Sequence, residues 1–450
     1  MVERADVVVI GAGIAGVSAA HHLSVGHGVG DVLLCDPRAP LTLTSDKSTE
    51  CYRNWWPGPD DAMVGLMNRS IDLLEGWAAE SDNAFNLSRR GYLYLTADES
   101  RLADIEERAS LISGLGAGPV RAHRGHGDDP SYPDPAARPH GADLLIGRKV
   151  LRARFPYVSP AAVGGLHVRR AGWLSAQQLG AWLLDRAQEC GTTYVPESVA
   201  AIETAHGHVT AVVLASGRRV STERVVNAAG PLVGDVADML EVSLPVHHEV
   251  HRKMSFRDHR GAIPRGAPML IWDDPQELAW SAGERELLLE DPALAPLAGV
   301  LPAGAHCRPD GGDDSPVVLG LWEYRTDVRA PTFPIPDDPM YPEMVMRGLS
   351  TMVPAVGAYL ERLPQPYVDG GYYTKTVENR PLVGPFGPGG VHVIGALSGF
   401  GVMAAPAAGE LVAAHVVGSR VPDYSDRFLP DRYTDPGYLA GFGDLDSGQL

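Results

Sequence analysis

Gly11, Gly13 and Gly16 punctuate the run Asp6-Val7-Val8-Val9-Ile10-Gly11-Ala12-Gly13-Ile14-Ala15-Gly16, and Asp36 closes the next apolar run, Asp31-Val32-Leu33-Leu34-Cys35-Asp36. A dinucleotide site needs this order. A continuous apolar run reads as a buried parallel strand. Gly11 then permits a tight turn, Gly13 lets the backbone approach a pyrophosphate, and Gly16 lets the following helix pack on the strand. The helix start, Ile14 and Ala15, offers free N–H groups and the positive end of its dipole. Asp36 can accept from ribose hydroxyls, with Pro37 following it. The acid comes later than the usual ~20 residues, and the insert Ser24-Val25-Gly26-His27-Gly28-Val29-Gly30 accounts for the delay.

Other residues could do chemistry on a small molecule. Tyr372 and Tyr373 carry hydroxyls that donate to a carboxylate or amine without bearing charge. Arg53 beside Trp55 and Trp56 could bind an anion, or the nucleotide, next to an aromatic wall, and each of these residues also fits ordinary packing. His247, His248 and His251 lie on a predicted strand whose alternation puts His247 and His251 on one face. They lack converging partners for a metal. Cys35, Cys51, Cys190 and Cys307 are scattered and form neither a metal spacing nor a disulfide framework, as expected of a reduced, cytoplasmic protein.

The elements that must position these residues run along 450 residues, enough for two domains. The formal charge of −18 argues against nucleic-acid or anionic-membrane partners. Apolar runs fall short of the ~20 residues of a membrane span, and the start lacks the marks of a signal peptide. Helices are predicted over 14–23, 61–79 and 176–190, the last with Ser175 as N-cap and Gly191 as stop. Strands are predicted at 91–95, 193–195, 199–202, 209–214, 225–230 and 391–395. Residues 113–142, rich in Gly, Pro, Arg, Asp and His, read as a long surface loop. The strand at 391–395 enters Ser398-Gly399-Phe400-Gly401 and then a helix of small residues over 404–417, a second strand–turn–helix unit able to cradle an anion.

The chain resembles the D-amino acid oxidase superfamily, and within it the sarcosine oxidase, glycine oxidase and dimethylglycine dehydrogenase group. The residues carrying this are Val9 through Gly16, Thr44-Ser45, Arg154-Phe155-Pro156, Asn227-Ala228-Ala229-Gly230-Pro231, Asn379-Arg380-Pro381-Leu382-Val383-Gly384, and Gly395 through Ala407. The resemblance implies an α/β plus α+β fold: a Rossmann-like FAD-binding domain of glutathione reductase type with an inserted antiparallel-sheet substrate domain. The expected FAD-binding pieces are residues 1–90, 145–240 and 366–425. The substrate domain is expected at 91–144 and 241–365, with a C-terminal tail at 426–450 whose acidic part, 431–450, reads as a partly ordered surface segment. It further implies FAD held non-covalently by Gly11, Gly13, Ile14, Ala15, Gly16, Asp36, Pro37, Ser45, Ser48, Thr49, Val199, Ala229, Gly230, Gly395, Ser398, Gly399, Phe400, Gly401, Val402 and Met403.

The resemblance also implies hydride transfer from a C–H bond beside nitrogen to flavin N5, then hydrolysis of the imine. The departures concern the substrate. Trp56 and Met403 match the two cationic anchors that hold a small amino acid's carboxylate in relatives. Val318 matches the lysine that assists oxygen, and Trp322 the basic residue after it; Lys253 or a histidine could substitute. Gly371 stands where some members link the flavin through cysteine, and Glu50 or Cys51 where others use histidine. Arg53, Tyr372, Tyr373, Trp56 and Met403 are the candidate substrate-site residues. The expected substrate is an amine or amino-acid-like molecule, a secondary amine bulkier than sarcosine, with oxygen or another acceptor taking the electrons. A 2-hydroxy acid as substrate, or a role as flavin subunit of a larger dehydrogenase, are the alternatives.

Overall fold

In a computed structural model the described residues are 3–125, 132–133, 137–312 and 314–442. Among them the strands form a six-stranded, a nine-stranded and a four-stranded sheet, plus two short pairs. The six-stranded sheet runs in the order Thr192–Val195, Val32–Cys35, Val7–Ile10, Val225–Asn227, Val391–Gly395, Leu382–Pro385. All joints are parallel except the last. Val7, Val8 and Val9 are fully buried, as strands covered on both faces must be.

The helix Ile14–His21 is buried along its whole length and packs against the helix Gly401–Val417. Small residues make that approach possible. A Cβ on Gly409 would lie 2.3 Å from the Ser18 hydroxyl oxygen, and that hydroxyl donates to the Ala405 carbonyl at 2.8 Å. The predicted helices stand at Ala62–Glu80 and Ala176–Glu189. Ser175 caps the second by accepting from the Gln178 N–H at 3.3 Å. No helix of the described residues is long and apolar enough to cross a membrane.

The nine-stranded sheet is mostly antiparallel and runs Tyr367–Lys375, His247–Arg257, Val317–Leu321, Ala305–Pro309, Met269–Trp272, Tyr92–Thr96, Gly164–Val168, Ala142–Ile146, Val120–Arg124. Here the sequence-based boundaries need correction. Strands Ala142–Ile146 and Gly164–Val168 reach into the expected nucleotide segment 145–240, and Tyr367–Lys375 lies within 366–425, yet all belong to this sheet.

The expected loop over 113–142 also changes. Val120–Arg124 is an edge strand pairing parallel with Ala142–Ile146, held by buried His123 against buried Asp143 at 2.9 Å. Residues 126–131 and 134–136 of that segment lie outside the described residues. The tail is tied to the body through Arg432, and residues 434–437 and 439–441 are exposed. Phe428 and Arg432 are buried, and Arg432 pairs with buried Glu378 at 2.7 Å. Residues 443–450 lie outside the described residues.

Candidate active site

The turn after Val7–Ile10 opens a cleft of about 830 Å³. Gly11 sits at φ +105°, and a Cβ there would lie 2.5 Å from the Ala228 carbonyl oxygen. The first helical turn faces the cleft, with the Ile14 N–H donating to the Ser45 hydroxyl at 2.9 Å. Asp36 anchors the turn by accepting from the N–H groups of Ala12 and Arg38, each at 2.9 Å. From the other strand–turn–helix unit come Gly395, Ser398 and Gly399, with Ser398 at φ +47°. Two helix N-termini thus face one elongated cleft lined by glycine and small residues. This donor set suits a dinucleotide diphosphate and its flanking rings, so the residues present fit FAD.

A second cavity of about 450 Å³ adjoins the cleft and shares Tyr373 and Gly399 with it. The short strand Cys51–Arg53 pairs with Ala171–Trp173. Alternation points Cys51 and Arg53 into this cavity and turns Tyr52 away, its hydroxyl donating to the Ser88 carbonyl at 2.9 Å. The Arg53 guanidinium lies over the Trp56 ring at 4.4 Å, and Trp56 packs edge-on against Phe400 at 4.8 Å. The opposite wall comes from the nine-stranded sheet. His251 stacks on Tyr373 at 3.8 Å, with His306, Tyr92 and Leu321 beside them.

The two imidazoles are shifted in opposite directions. Burial lowers His306 to about 4, so it is neutral at physiological pH. Its Nδ1 faces the Gly304 carbonyl at 2.7 Å; Nδ1 therefore holds the proton and Nε2 is the acceptor. Burial alone would also lower His251, but Glu323 at 3.3 Å and Glu249 at 3.1 Å outweigh it and raise the pKa. Glu249 is held down at about 2: burial opposes this, and His251 with Lys375 at 2.5 Å overcomes it.

His251 is therefore cationic below its raised pKa, and its charge is lost as pH climbs through that value. Acetate binding to the holoenzyme, read from the flavin absorbance, is expected to weaken by up to about tenfold per pH unit above it. His251→Asn should flatten that limb; an unchanged slope in the variant would assign the titration elsewhere.

Of the residues expected at the cofactor, the cleft is lined by Gly11, Gly13, Ile14, Ala15, Asp36, Ser45, Ser48, Ala229, Gly230, Gly395, Ser398, Gly399, Gly401 and Val402. Gly16 lies beneath it, where a Cβ would stand 1.9 Å from the Gly11 carbonyl oxygen. Thr49, Phe400 and Met403 line the adjoining cavity. Pro37 is exposed, and Val199 is buried in a separate apolar cluster beneath the four-stranded sheet; neither lines the cleft.

Arg53 puts a guanidinium on the wall of the cavity that Trp56 and Met403 also line. Val318 and Trp322 also need correction. They face a buried apolar core, and alternation gives the cavity Leu321 instead. Lys253 is turned away towards Glu50 at 3.6 Å. Tyr373 faces both spaces, whereas the Tyr372 hydroxyl donates to the Thr332 carbonyl at 3.0 Å and accepts from its N–H at 2.9 Å. Sequence reasoning missed His306, Tyr92 and Glu323. His306 and Tyr92 lie on strands whose alternation does not show which face meets the site, and Glu323 lies just past the end of the strand Val317–Leu321.

The sequence profile of the DAO family, described as FAD dependent oxidoreductase, matches residues 6–415. Solved structures share the fold. The L-proline dehydrogenase of P. horikoshii superposes with a TM-score of 0.74 at 19% identity, covering 96% of this chain and 99% of its own. A glycine oxidase from Geobacillus kaustophilus gives 0.71 at 16% identity, covering 93% and 96%. The iminodiacetate oxidase of Chelativorans sp. BNC1 gives 0.70 at 19%, covering 94% and 98%. With most of its length matched by that profile and its cleft built for a dinucleotide, the chain belongs to the DAO family of FAD-dependent oxidoreductases.

Proposed function

We propose that the protein oxidises the C–N bond of an amino-acid-like secondary amine bulkier than sarcosine. The observation that carries this is the meeting, in one buried cavity, of the Arg53 guanidinium, His251 with its pKa raised by Glu323 and Glu249, and neutral His306. FAD, when bound, accepts a hydride from the C–H bond beside the nitrogen. Arg53, held over Trp56, offers the fork that a carboxylate needs. His306 Nε2 can take an N–H of the amine, and the adjacent cations disfavour an ammonium, so the residues favour the unprotonated amine. Tyr92 and Tyr373, both raised by burial, stay protonated and act as neutral donors or walls. Phe400, Met403 and Trp56 keep water from the cavity.

The cofactor is held non-covalently on this reading. Gly371 carries no side chain where relatives place a linking cysteine, and a Cβ there would meet Thr44 at 3.2 Å. Cys51 is a buried thiol donating to the Thr49 carbonyl at 3.1 Å, with its pKa raised by burial.

Anaerobic mixing of the yellow holoenzyme with N-methyl amino acids is expected to bleach the flavin, and the same mixing with 2-hydroxy acids is expected to leave it oxidised. Bleaching by hydroxy acids alone would replace this reading. Readmitting air then separates an oxidase, which regains colour faster than free reduced flavin, from a dehydrogenase.

A further inference from the structure

We propose that the site continues past Arg53 into a second chamber that takes an uncharged, apolar arm of the substrate; this rests on the reading of the site as a C–N oxidising centre. Arg53 lines both spaces, with Trp55 on the far side. The partition is thin. Tyr92 faces the reaction cavity, and Tyr94, two residues along the same strand, faces the chamber, their rings 6.3 Å apart. Gly304, whose carbonyl orients His306, also lines the chamber.

The chamber lies between a helix and the nine-stranded sheet. Its floor is one row across three paired strands, Leu166, Tyr94 and Ile271. Its roof is the helix Leu102–Ile112, which presents Ile105, Ala109 and Ile112 at spacings of four and three. A helix normally closes onto a sheet with interdigitated side chains and few voids larger than a water molecule. Here the helix and the sheet do not close fully, and a space is left between them beside the reaction cavity. The charges at its rim are engaged: Asp273 pairs with Arg101 at 2.7 Å, and Arg108 stands by the same carboxylate. A chamber with apolar floor and roof and a neutralised rim suits an aromatic ring or branched alkyl group, not a second carboxylate. The substrate class is therefore an N-substituted or cyclic amino acid with a large apolar arm.

The test compares two non-oxidisable acids on the holoenzyme, acetate and 3-phenylpropionate, by flavin absorbance titration and calorimetry. The phenyl acid is expected to bind at least thirtyfold tighter, and Ala109→Trp, which fills the chamber, to cut that ratio at least tenfold. Ile105→Phe serves the same purpose should the tryptophan variant fail to fold. A wild-type ratio near one, or a ratio that survives both variants, overturns the proposal. A holoenzyme bleached by hydroxy acids and by no amine overturns the C–N reading instead, while the ratio of the two acids still reports on the chamber.

Discussion

Gly16→Ala is expected to yield a protein that purifies without flavin and melts about 1–3 °C below the parent. The added methyl would stand 1.9 Å from the Gly11 carbonyl oxygen and 3.3 Å from the Ala228 Cβ. Neither neighbour is the tip of a flexible side chain. Gly11, at φ +105°, is tied by its N–H to the Cys35 carbonyl at 2.8 Å, so the turn cannot retreat. The helix Ile14–His21 must move instead, and it is buried along its length against the helix Gly401–Val417.

Overpacking of this kind costs about 1–3 kcal/mol or more. It also drags the Ile14 N–H away from Ser45, dismantling the donors that face the diphosphate. Flavin content, from the ratio of absorbance at 450 nm to that at 280 nm, and thermal denaturation read the two effects separately. Gly283→Ala is the control. Nothing lies within 4 Å of its added Cβ, it sits in the helix Ala282–Glu290, and it should keep full flavin content. A yellow, normally melting Gly16→Ala protein would show that the helix can shift without cost.

The legibility of the molecule follows the range of the forces involved. The nucleotide cleft could be read because its determinants are local: a strand, three glycines and an acid within one βαβ unit. The same holds for Ser175, whose capping bond spans three residues. The edge strand Val120–Arg124 was hidden. It is polar, lies in a Gly- and Pro-rich stretch, and is tied down by Asp143, a residue distant in sequence. Strands Gly164–Val168 and Tyr367–Lys375 are not among the predicted strands, and alternation by itself does not say which sheet a strand joins.

The substrate cavity suffers most from this limit. A one-residue error in register flips every side chain to the other face, which is why Val318 and Trp322 were placed at the site and Leu321 was not. His251 was visible as part of a histidine cluster. What raises its pKa is Glu323, beyond the end of another strand, together with Glu249.

Arg53→Ala is expected to lower kcat/KM for a carboxylate-bearing amine by about 10²–10³-fold, equivalent to roughly 3–4 kcal/mol. The size follows from burial. Arg53 is 5% exposed, packed over Trp56 at 4.4 Å, with its Nε donating to the Trp55 carbonyl at 3.1 Å. A carboxylate entering this cavity leaves water behind and must recover its hydrogen bonds from the wall. Without the guanidinium, the wall keeps the imidazoles of His251 and His306, and His251 already serves Glu249 and Glu323. Arg53→Lys keeps the charge but loses the planar fork and the stack on Trp56, so it should recover only part of the loss, about tenfold.

Truncation also removes packing, and the experiment has to separate packing from recognition. The same variants should therefore be assayed with an amine that lacks the carboxylate, and with guanidinium chloride added to Arg53→Ala. Recognition predicts a loss concentrated in the carboxylate substrate and partly rescued by guanidinium. An equal loss for both amines, with no rescue, would reduce Arg53 to a wall that props Trp56 against Phe400.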